Sequence, residues 1–402
     1  MVEWKEYKLG EVCNTISDTY KGNAENVVLI NTSDVLEGKC LNHIKTPNKD
    51  LKGQFKKTFQ KDDILYSEIR PANKRYAYID FDATDYIAST KLMVIRHNER
   101  ILPQYLFYKL KNQAVLDELQ MLAESRSGTF PQITFSEVAN LEIKLPPIEQ
   151  QHRILGILKS LDDKIEVNRK INENLEQQAQ ALFKSWFVDF EPFKDGEFVE
   201  SELGMIPKGW KLKRIYEYVD VIYGAPYKSS LFNDNKEGLP LIRIRDLKTN
   251  TPQFYTPEIL PNTEYIKAGD IVAGMDAEFT PYVWQGERGV LNQRCCKFKG
   301  KYEGISNYYI LFLVKPELEY VQSYKTGTTV SHLGKSDIDR FVFLTPPLDI
   351  VLAFSEIVNP MIKEVVNRAN EARRLASLRD TLLPKLMSGE IKVNDMQLSE
   401  NQ

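Results

Sequence analysis

The stretch LPPIEQQHRILGILKSLDDKIEVNRKINENLEQQAQALFKSWFVDF spans residues 145–190, and TPPLDIVLAFSEIVNPMIKEVVNRANEARRLASLRDTLLPKLMSGEI spans residues 345–391. Each stretch opens on a Pro-Pro pair, and proline is well suited to the first turn of a helix. Apolar residues then recur at alternating spacings of four and three, which is the period of a coiled coil. Each stretch therefore predicts one helix of about 40 residues, roughly 60 Å long at 1.5 Å per residue.

The two helices are predicted to pack along an apolar seam. The seam consists of Ile154, Leu158, Leu161, Ile165, Leu175 and Leu182 in the first helix, and Val358, Val365, Leu375 and Leu382 in the second. Polar side chains interrupt it at Asn168, Asn172, Arg368 and Arg379. Two interpretations stay open: these positions face solvent, or they fix the register between the two helices.

The rest of the chain is a repeat of about 200 residues. Residues 29–35 match 241–247, and residues 61–65 match 268–272. Each half carries short β-rich runs separated by Gly, Pro, Asn and Asp, followed by a short helical pattern and then by one long helix. The pattern predicts an α/β (α+β) fold: two globular domains separated by two long antiparallel coiled-coil helices, related by a pseudo-twofold internal repeat.

The predicted boundaries follow from this order. They are 1–146 for the first globular domain, 147–192 for the central helix, 193–346 for the second globular domain, 347–391 for the C-terminal helix and 392–402 for a flexible tail.

Composition narrows the class of protein. Hydrophobic residues make up 42% and charged residues 27% of the chain, as in a folded globular protein. The chain begins without a basic segment followed by an apolar one, so we expect no signal peptide and a cytoplasmic location. Its four cysteines and four histidines do not fall at zinc-binding spacings, which predicts no metal site. The net charge of -3 argues mildly against a freestanding DNA-binding protein, unless basic residues cluster or a partner supplies phosphate contacts.

Catalytic motifs are not evident. Neither Pro-Pro pair carries the Asn or Asp and the aromatic residue that hold a target amine in amino-methylating DNA methyltransferases. The Gly334-Lys335-Ser336 run resembles the end of a phosphate-binding loop, but Thr329 stands where that loop requires glycine. We therefore expect no catalytic residues and no bound cofactor or metal on this chain.

Candidate DNA-contact residues lie in loops between predicted strands. Arg can bind guanine, Asn can bind adenine, and Lys and hydroxyl side chains suit the phosphate backbone. The candidates of the first half are Arg70, Asn73, Lys74 and Arg75, followed by Arg126, Ser127, Thr129 and Gln132 in a polar loop. Those of the second half are Lys325, Thr328, Thr329 and Ser331 in the matching loop, with Arg243, Arg245 and Arg294 as weaker candidates.

The helical stretches carry a resemblance to a known family. Residues 145–172 and 181–190 closely resemble the central region of type I restriction-enzyme specificity subunits, and residues 378–391 are similar to their C-terminal region. The resemblance covers essentially the whole chain, but in the globular domains it rests on position and on short pieces such as Ile69-Arg70-Pro71. It assigns no contact residue.

What the resemblance implies is a DNA-binding, non-catalytic subunit with two target-recognition domains. Such a subunit joins two modification subunits, which carry S-adenosylmethionine and methylate adenine, and restriction subunits, which use ATP and Mg²⁺. Each recognition domain would read one half of a split, asymmetric target on double-stranded DNA, while the helices set the gap. Two alternatives are a standalone methyltransferase or nuclease, which the missing motifs disfavour, and a coiled-coil scaffold protein.

Overall fold

A computed structural model describes residues 4–49, 53–125, 131–325 and 331–393. The chain divides into two compact units, of which unit 1 comprises residues 1–163 and 376–402 and unit 2 comprises residues 164–375. The predicted tail, residues 392–402, lies outside the described residues from position 394 onward.

Unit 1 combines short strands with three short helices. The strands are β1 Lys5–Lys8, β2 Cys13–Ile16, β3 Asn26–Ile30, β4 Val35–Leu36, β5 Lys39–Cys40, β6 Lys45–Pro47, β7 Phe55–Lys57, β8 Ile64–Ser67, β9 Tyr76–Tyr78, β10 Tyr86–Ser89, β11 Leu92–His97 and β12 Glu142–Leu145. The helices are α1 Pro103–Leu110, α2 Gln113–Glu124 and α3 Phe135–Asn140. The long helix α4, Ile148–Phe187, starts in unit 1 and ends in unit 2.

Unit 2 likewise combines short strands with helices. Its strands are β13 Phe198–Ser201, β14 Gly204–Pro207, β15 Lys211–Arg214, β16 Val219–Tyr223, β17 Leu239–Ile242, β18 Phe254–Thr256, β19 Tyr265–Ile266, β20 Ile271–Gly274, β21 Pro281–Val283, β22 Gly289–Leu291, β23 Cys295–Gly300 and β24 Val342–Thr345. Its helices are α5 Ile215–Tyr218, α6 Ile244–Leu247, α7 Asn307–Lys325 and α8 Lys335–Ile338. The second long helix, α9 Leu348–Ser388, starts in unit 2 and ends in unit 1.

Sheet topology confirms the internal repeat. The strand orders β6-β3-β10-β7 and β2-β11-β8-β9 of unit 1 correspond to β18-β17-β22-β19 and β16-β23-β20-β21 of unit 2. The central pair of the first sheet is parallel in both units, β3 with β10 and β17 with β22. Antiparallel pairs β1–β12 and β15–β24 place the start of each repeat beside the strand that leads into a long helix. The predicted mixed α/β class and its duplication are therefore both observed.

Within each unit the long helices run antiparallel. In unit 2, Asn168 of α4 lies against Glu371 of α9, and Asn172 lies against Val365, so later positions on α4 meet earlier ones on α9. In unit 1, Asp162, an earlier position on α4, lies against Arg379, a later position on α9. The predicted antiparallel pairing is confirmed.

Each unit has apolar cores of its own, and one core in each unit takes in part of both long helices. In unit 1, Ile154 and Leu158 of α4 and Leu386 of α9 are buried with Leu106 and Leu119 of the globular part. In unit 2, β23 separates two cores, because alternation along a strand sends Cys295 to one face and Cys296 to the other. Both thiols are free and buried, and burial raises the pKa of Cys296 to about 12.

Phe354 joins α9 to the unit 2 core, and its truncation is expected to be strongly destabilising. Its ring is fully buried, with its centroid 4.9 Å from that of Phe187. Phe354→Ala should lower the free energy of unfolding by about 3–5 kcal/mol through lost burial and the resulting cavity. Ile357→Ala on the same helix is the matched control, since Ile357 is 45% exposed. Urea unfolding measures the free energy of unfolding of both variants, and hydrogen exchange of the α7 amides reports the local loss of stability. Equal effects of the two substitutions would contradict the role assigned to Phe354.

Candidate nucleic-acid interface

Two of the loops predicted to contact DNA lie side by side in unit 1. The first follows β8, and the backbone N–H of Arg70 in it donates to Pro131 O of the second at 3.1 Å. The N–H of Ile133 donates back to Glu68 O at 2.8 Å. Sequence separation between these loops exceeds 60 residues, so the pairing is a product of the tertiary fold.

Unit 2 repeats this arrangement residue for residue. Ala277 N–H donates to Ser331 O at 2.9 Å, and Leu333 N–H donates to Met275 O at 2.7 Å. Arg70 and Ala277 occupy the same place in the two units, and both have left-handed backbone conformations, with φ of 45° and 61°. That conformation is uncommon for residues other than glycine, so its recurrence shows that the turn itself is duplicated.

A third segment, the turn that leads into β11 or β23, joins each pair of loops. In unit 1, Glu68 N–H donates to Lys91 O at 3.0 Å, and Lys91 Nζ lies 3.3 Å from Gln132 Oε1 and 3.7 Å from Glu68 Oε2. In unit 2 the equivalent backbone bond runs from Met275 N–H to Arg294 O at 2.8 Å. A cation, Lys91 or Arg294, is therefore held beside the paired loops of each unit.

In unit 2 the paired loops also carry an aspartate and a histidine, Asp276 and His332, which contact each other. Asp276 Oδ1 lies 2.6 Å from His332 Nδ1, and Asp276 Oδ2 lies 3.3 Å from Arg294 Nη1. Arg294 and His332 are both more than half exposed. In unit 1, Arg70 and Asn73 are exposed on the 3₁₀ turn after β8. Both units thus present hydrogen-bonding and cationic side chains at the same edge of the fold.

Several other candidates are engaged in holding the fold. Arg75 Nη1 donates to Ser33 O at 3.1 Å and contacts Val35 O, and Lys74 Nζ lies 3.9 Å from Glu37 Oε1. Such bonds hold the loop after β8 against residues 33–37, which include β4. Their cationic heads are consequently oriented by carbonyl and carboxylate groups of the protein.

Lys325 and Ser331 fasten the two ends of the second polar loop. Lys325 Nζ donates to His332 O at 2.7 Å and to Asp337 Oδ2 at 2.5 Å, while Ser331 Oγ donates to Lys325 O at 2.8 Å. The residues between these ends, 326–330, lie outside the described part of the chain, as do 126–130 in unit 1. The candidates Arg126, Ser127, Thr129, Thr328 and Thr329 fall there, and their contact with DNA stays a prediction.

Arg243 and Arg245 lie at the start of α6. The guanidinium of Arg243 lies 4.3 Å from the centroid of the Phe254 ring, and burial lowers its pKa. Its Nε lies 3.8 Å from Asp246 Oδ2. Arg245 is exposed. The environment of Arg243 is that of a packed side chain, and Arg245 is the more accessible of the two.

Sequence reasoning missed Lys91, Asp276 and His332 as members of the site. The repeat held the signal for His332, which directly follows the polar loop of the second half. In the fold, residues 131 and 133 of unit 1 take the places of residues 331 and 333 of unit 2. The sequence around Lys91 and around Asp276 does not mark either residue as part of the site, since each is far along the chain from the loop residue that it contacts.

The apolar side chains of the seam between the long helices are buried to different degrees. Its fully buried members are Ile154, Leu158, Val358 and Val365. Its half-buried members are Leu161, Ile165, Leu175, Leu182, Leu375 and Leu382.

Two polar residues of the seam, Asn168 and Asn172, are buried and hydrogen-bonded to the other helix. Asn168 is fully buried; its Nδ2 donates to Glu371 Oε2 at 2.8 Å and its Oδ1 accepts from Arg368 Nη1 at 3.1 Å. Asn172 Nδ2 donates to Val365 O at 3.0 Å. Solvent exposure does not describe these positions. Because each bond forms in only one alignment of the helices, this pattern favours register fixing.

Asp162 anchors the helices to the globular part of unit 1. It accepts from Arg379 Nη1 at 2.6 Å and from the Tyr108 hydroxyl, and Lys111 Nζ lies 3.7 Å away. Burial alone would raise the pKa of Asp162, but Lys111, Arg379 and Tyr108 together hold it below its ordinary value. Burial also lowers the pKa of Lys111 to about 8. Arg379, Tyr108 and Lys111 therefore all have the Asp162 carboxylate as a hydrogen-bond or ion-pair partner.

Replacing Asp162 is expected to destabilise unit 1. Asp162→Ala leaves Lys111, Arg379 and Tyr108 without this acceptor and should cost about 2 kcal/mol of unfolding free energy. Since the pKa of Asp162 is lowered on folding, its contribution is complete above the ordinary carboxyl pKa and is lost as pH falls through the lowered value. Asp163→Ala, at the exposed neighbouring position, is the control. Urea unfolding between pH 7 and pH 3 should show a difference between the variants that shrinks on acidification; a constant difference would argue against the ionised contact.

No described helix is both long enough and apolar enough to cross a membrane. Within residues 4–49, 53–125, 131–325 and 331–393, no group of three or more His, Cys, Asp or Glu side chains is arranged to hold a metal ion.

Comparison with known proteins gives one consistent family. The model of the "Type I restriction modification DNA specificity domain" matches residues 1–177 and 207–371. The chain is 34% identical to the type I restriction enzyme HindI specificity subunit of Haemophilus influenzae, over 97% of this chain and 100% of that protein. It is 30% identical to the MjaIX specificity subunit of Methanocaldococcus jannaschii, over 74% of this chain and 71% of that protein.

A solved structure shares the fold. The crystal structure of the type I restriction-modification system S subunit from M. genitalium aligns with 96% of each chain, at 14% sequence identity and a TM-score of 0.51. Duplicated loops, antiparallel long helices and the matches in both repeats agree, and the chain belongs to the type I restriction-modification DNA specificity family.

Proposed function

We propose that this chain is the specificity subunit of a type I restriction-modification complex, in which each globular domain reads one half of a split, asymmetric DNA target. One observation carries the proposal: the same pair of loops, with the same backbone bonds and a cation from the same turn, occurs in both units. A protein that reads two half-sites needs two such surfaces, and side chains on them that differ give an asymmetric target.

The chemistry of the loops suits the edges of bases. Arg70 and Asn73 in unit 1 and Arg294 in unit 2 are exposed, and Arg and Asn make bidentate bonds to guanine and adenine. The net charge of -3 is compatible with this, because the cations are local and partner subunits would supply further phosphate contacts.

The methyl transfer and the cleavage would come from partner subunits. We propose two modification subunits carrying S-adenosylmethionine and restriction subunits using ATP and Mg²⁺, with the long helices serving as their docking elements. The family and the missing amino-methylation motif support a non-catalytic role for this chain. Because the proposed target is double-stranded DNA, we expect the assembly to work in the cytoplasm.

We expect the purified chain to transfer no methyl group and to cut no DNA. Labelled S-adenosylmethionine and DNA carrying many candidate sites test the first point, and a plasmid with ATP and Mg²⁺ tests the second. Robust methylation by the chain without partners would contradict the proposed role.

The assembled methyltransferase should bind DNA in a sequence-dependent manner. Gel-shift titration at fixed salt, with target and scrambled duplexes, measures the ratio of affinities, which should reach at least about 10³. Equal affinity for both duplexes would instead favour a scaffold protein.

A further inference from the structure

Asp276 occupies a position that brings three segments of unit 2 together. Its carboxylate bridges Arg294 Nη1, at 3.3 Å from Oδ2, and His332 Nδ1, at 2.6 Å from Oδ1. These partners come from the turn before β23 and from the loop before α8, while Asp276 follows β20. The Asp276 side chain is 22% exposed, whereas those of Arg294 and His332 are 56% and 51% exposed.

The difference in exposure separates Asp276, which is covered, from Arg294 and His332, which can reach a ligand. The carboxylate is largely covered and uses one oxygen for each partner, so it is poorly placed to meet a ligand itself. Arg294 keeps donors on Nε and Nη2 beyond the atom that faces Asp276, and the His332 imidazole keeps Nε2. An arginine held by a carboxylate points in a fixed direction and loses less side-chain freedom on binding.

We propose that Arg294 and His332 form a base-reading pair in unit 2 and that Asp276 is the positioning residue that orients both of them. The ligand chemistry is that of a base edge in the major groove, with guanine O6 and N7 as the acceptors for Arg294. This inference rests on the function proposed above and adds the residues that perform it in one domain.

Unit 1 supplies an internal comparison. The backbone bridge that joins Asp276 to His332 joins Ile69 to Gln132 there, and Lys91 takes the place of Arg294. Ile69 offers no carboxylate, and Lys91 instead lies near Gln132 Oε1 and Glu68. An amide favours adenine and a lysine is a point charge without a planar fork. The two domains therefore carry different side chains on one backbone frame, which accounts for an asymmetric target.

The test uses the assembled methyltransferase complex with the full chain, and maps methylated sites at single-base resolution. Asp276→Asn should reduce discrimination at one base pair of the second half-site by about 10-fold and leave the first half-site unchanged. Arg294→Ala should affect the same base pair, and Asp276→Asn added to a variant that already carries Arg294→Ala and His332→Ala should cause no further loss. Asp276→Glu, which keeps the charge, should recover part of the discrimination.

Glu278→Gln is the matched control, because it removes one negative charge from the same exposed loop. It should leave the recognised sequence unchanged. If Asp276→Asn prevents folding, judged by urea unfolding, Arg294→Lys and His332→Gln carry the test at the same base pair.

Two results would overturn the proposal. One is a uniform loss of affinity for all sequences in the Arg294 variant, which would assign Arg294 to the phosphate backbone. The other is a change of recognised base in Arg294→Ala together with an unaltered site in Asp276→Asn, which would remove the positioning role. Failure of the proposed function is distinguishable from both, because exchanging the whole of residues 193–346 would then leave the methylated site unchanged.

Discussion

Exchanging residues 1–145 for those of a relative with a different target should replace one half of the methylated site completely and leave the other half as it was. The paired loops of unit 1 lie within this segment. The apolar cores of that unit and of unit 2 have no residue in common, so the exchange alters only the cores and loops of unit 1. We expect an all-or-none change, measured by mapping methylated bases in cells that carry the partner subunits.

The exchange boundary has to respect packing within unit 1. Lys109 is buried and its Nζ donates to Met387 O at 2.6 Å, at the end of α9, and Trp4 lies against Gly389. A donor segment should therefore keep Trp4 and Lys109, and a variant with these two residues restored is the control for a poorly folded chimera. A well-folded chimera that altered both halves of the site together would contradict separate reading.

Lengthening both long helices should lengthen the gap between the half-sites. Each unit holds one end of each helix, so four residues added after Asp163 and four after Leu375 fall between the units in both helices. Four helical residues add about 6 Å and turn the seam by only about 40° from its phase. Since base pairs rise by about 3.4 Å, the preferred gap should grow by one or two base pairs while both half-site sequences stay the same.

A matched insertion separates this effect from general disturbance. The same four residues placed after Asp195, in the exposed connection after α4, should leave the gap unaltered. An active helix variant with an unaltered gap would show that partner subunits alone set the spacing, and that the helices only fold the chain.

Interactions in the seam explain why insertions must be made in pairs. Asn172 bonds one backbone carbonyl, that of Val365, and Asn168 bonds two side chains of α9. Adding residues after Asp163 to α4 alone would put these bonds out of register with the Asp162–Arg379 contact on the other side of the insertion, so one set of contacts or the other would be lost. Leaving buried amides without partners costs about 1–3 kcal/mol each, so a single insertion tests stability more than spacing.

The fold brings some of the candidate contact residues together and separates others. Arg70, Asn73, Gln132 and Arg294 lie at or beside the paired loops. Arg75 and Arg243 have the same chemistry in the sequence, but in the fold one bonds carbonyl groups and the other lies on an aromatic ring. The predicted roles in DNA contact await the experiments above.

The sequence by itself determined the features that depend on local periodicity and on repetition. Spacings of three and four residues after Pro-Pro determined the two long helices, observed as Ile148–Phe187 and Leu348–Ser388. Matching segments in the two halves determined the duplicated domain. Both signals are contained within short windows or in comparison of one window with another, so no knowledge of distant contacts was needed.

Only the tertiary structure decided which side chains meet. Asp276 and His332 are 56 positions apart, and Asn168 and Glu371 are 203 positions apart. Neither contact can be predicted from the local sequence pattern. A hydrogen bond between distant segments depends on how strands and helices pack and not on the residues that flank each partner. For the same reason the sequence presented Asn168 as either exposed or paired, and packing of the two helices made it buried and paired.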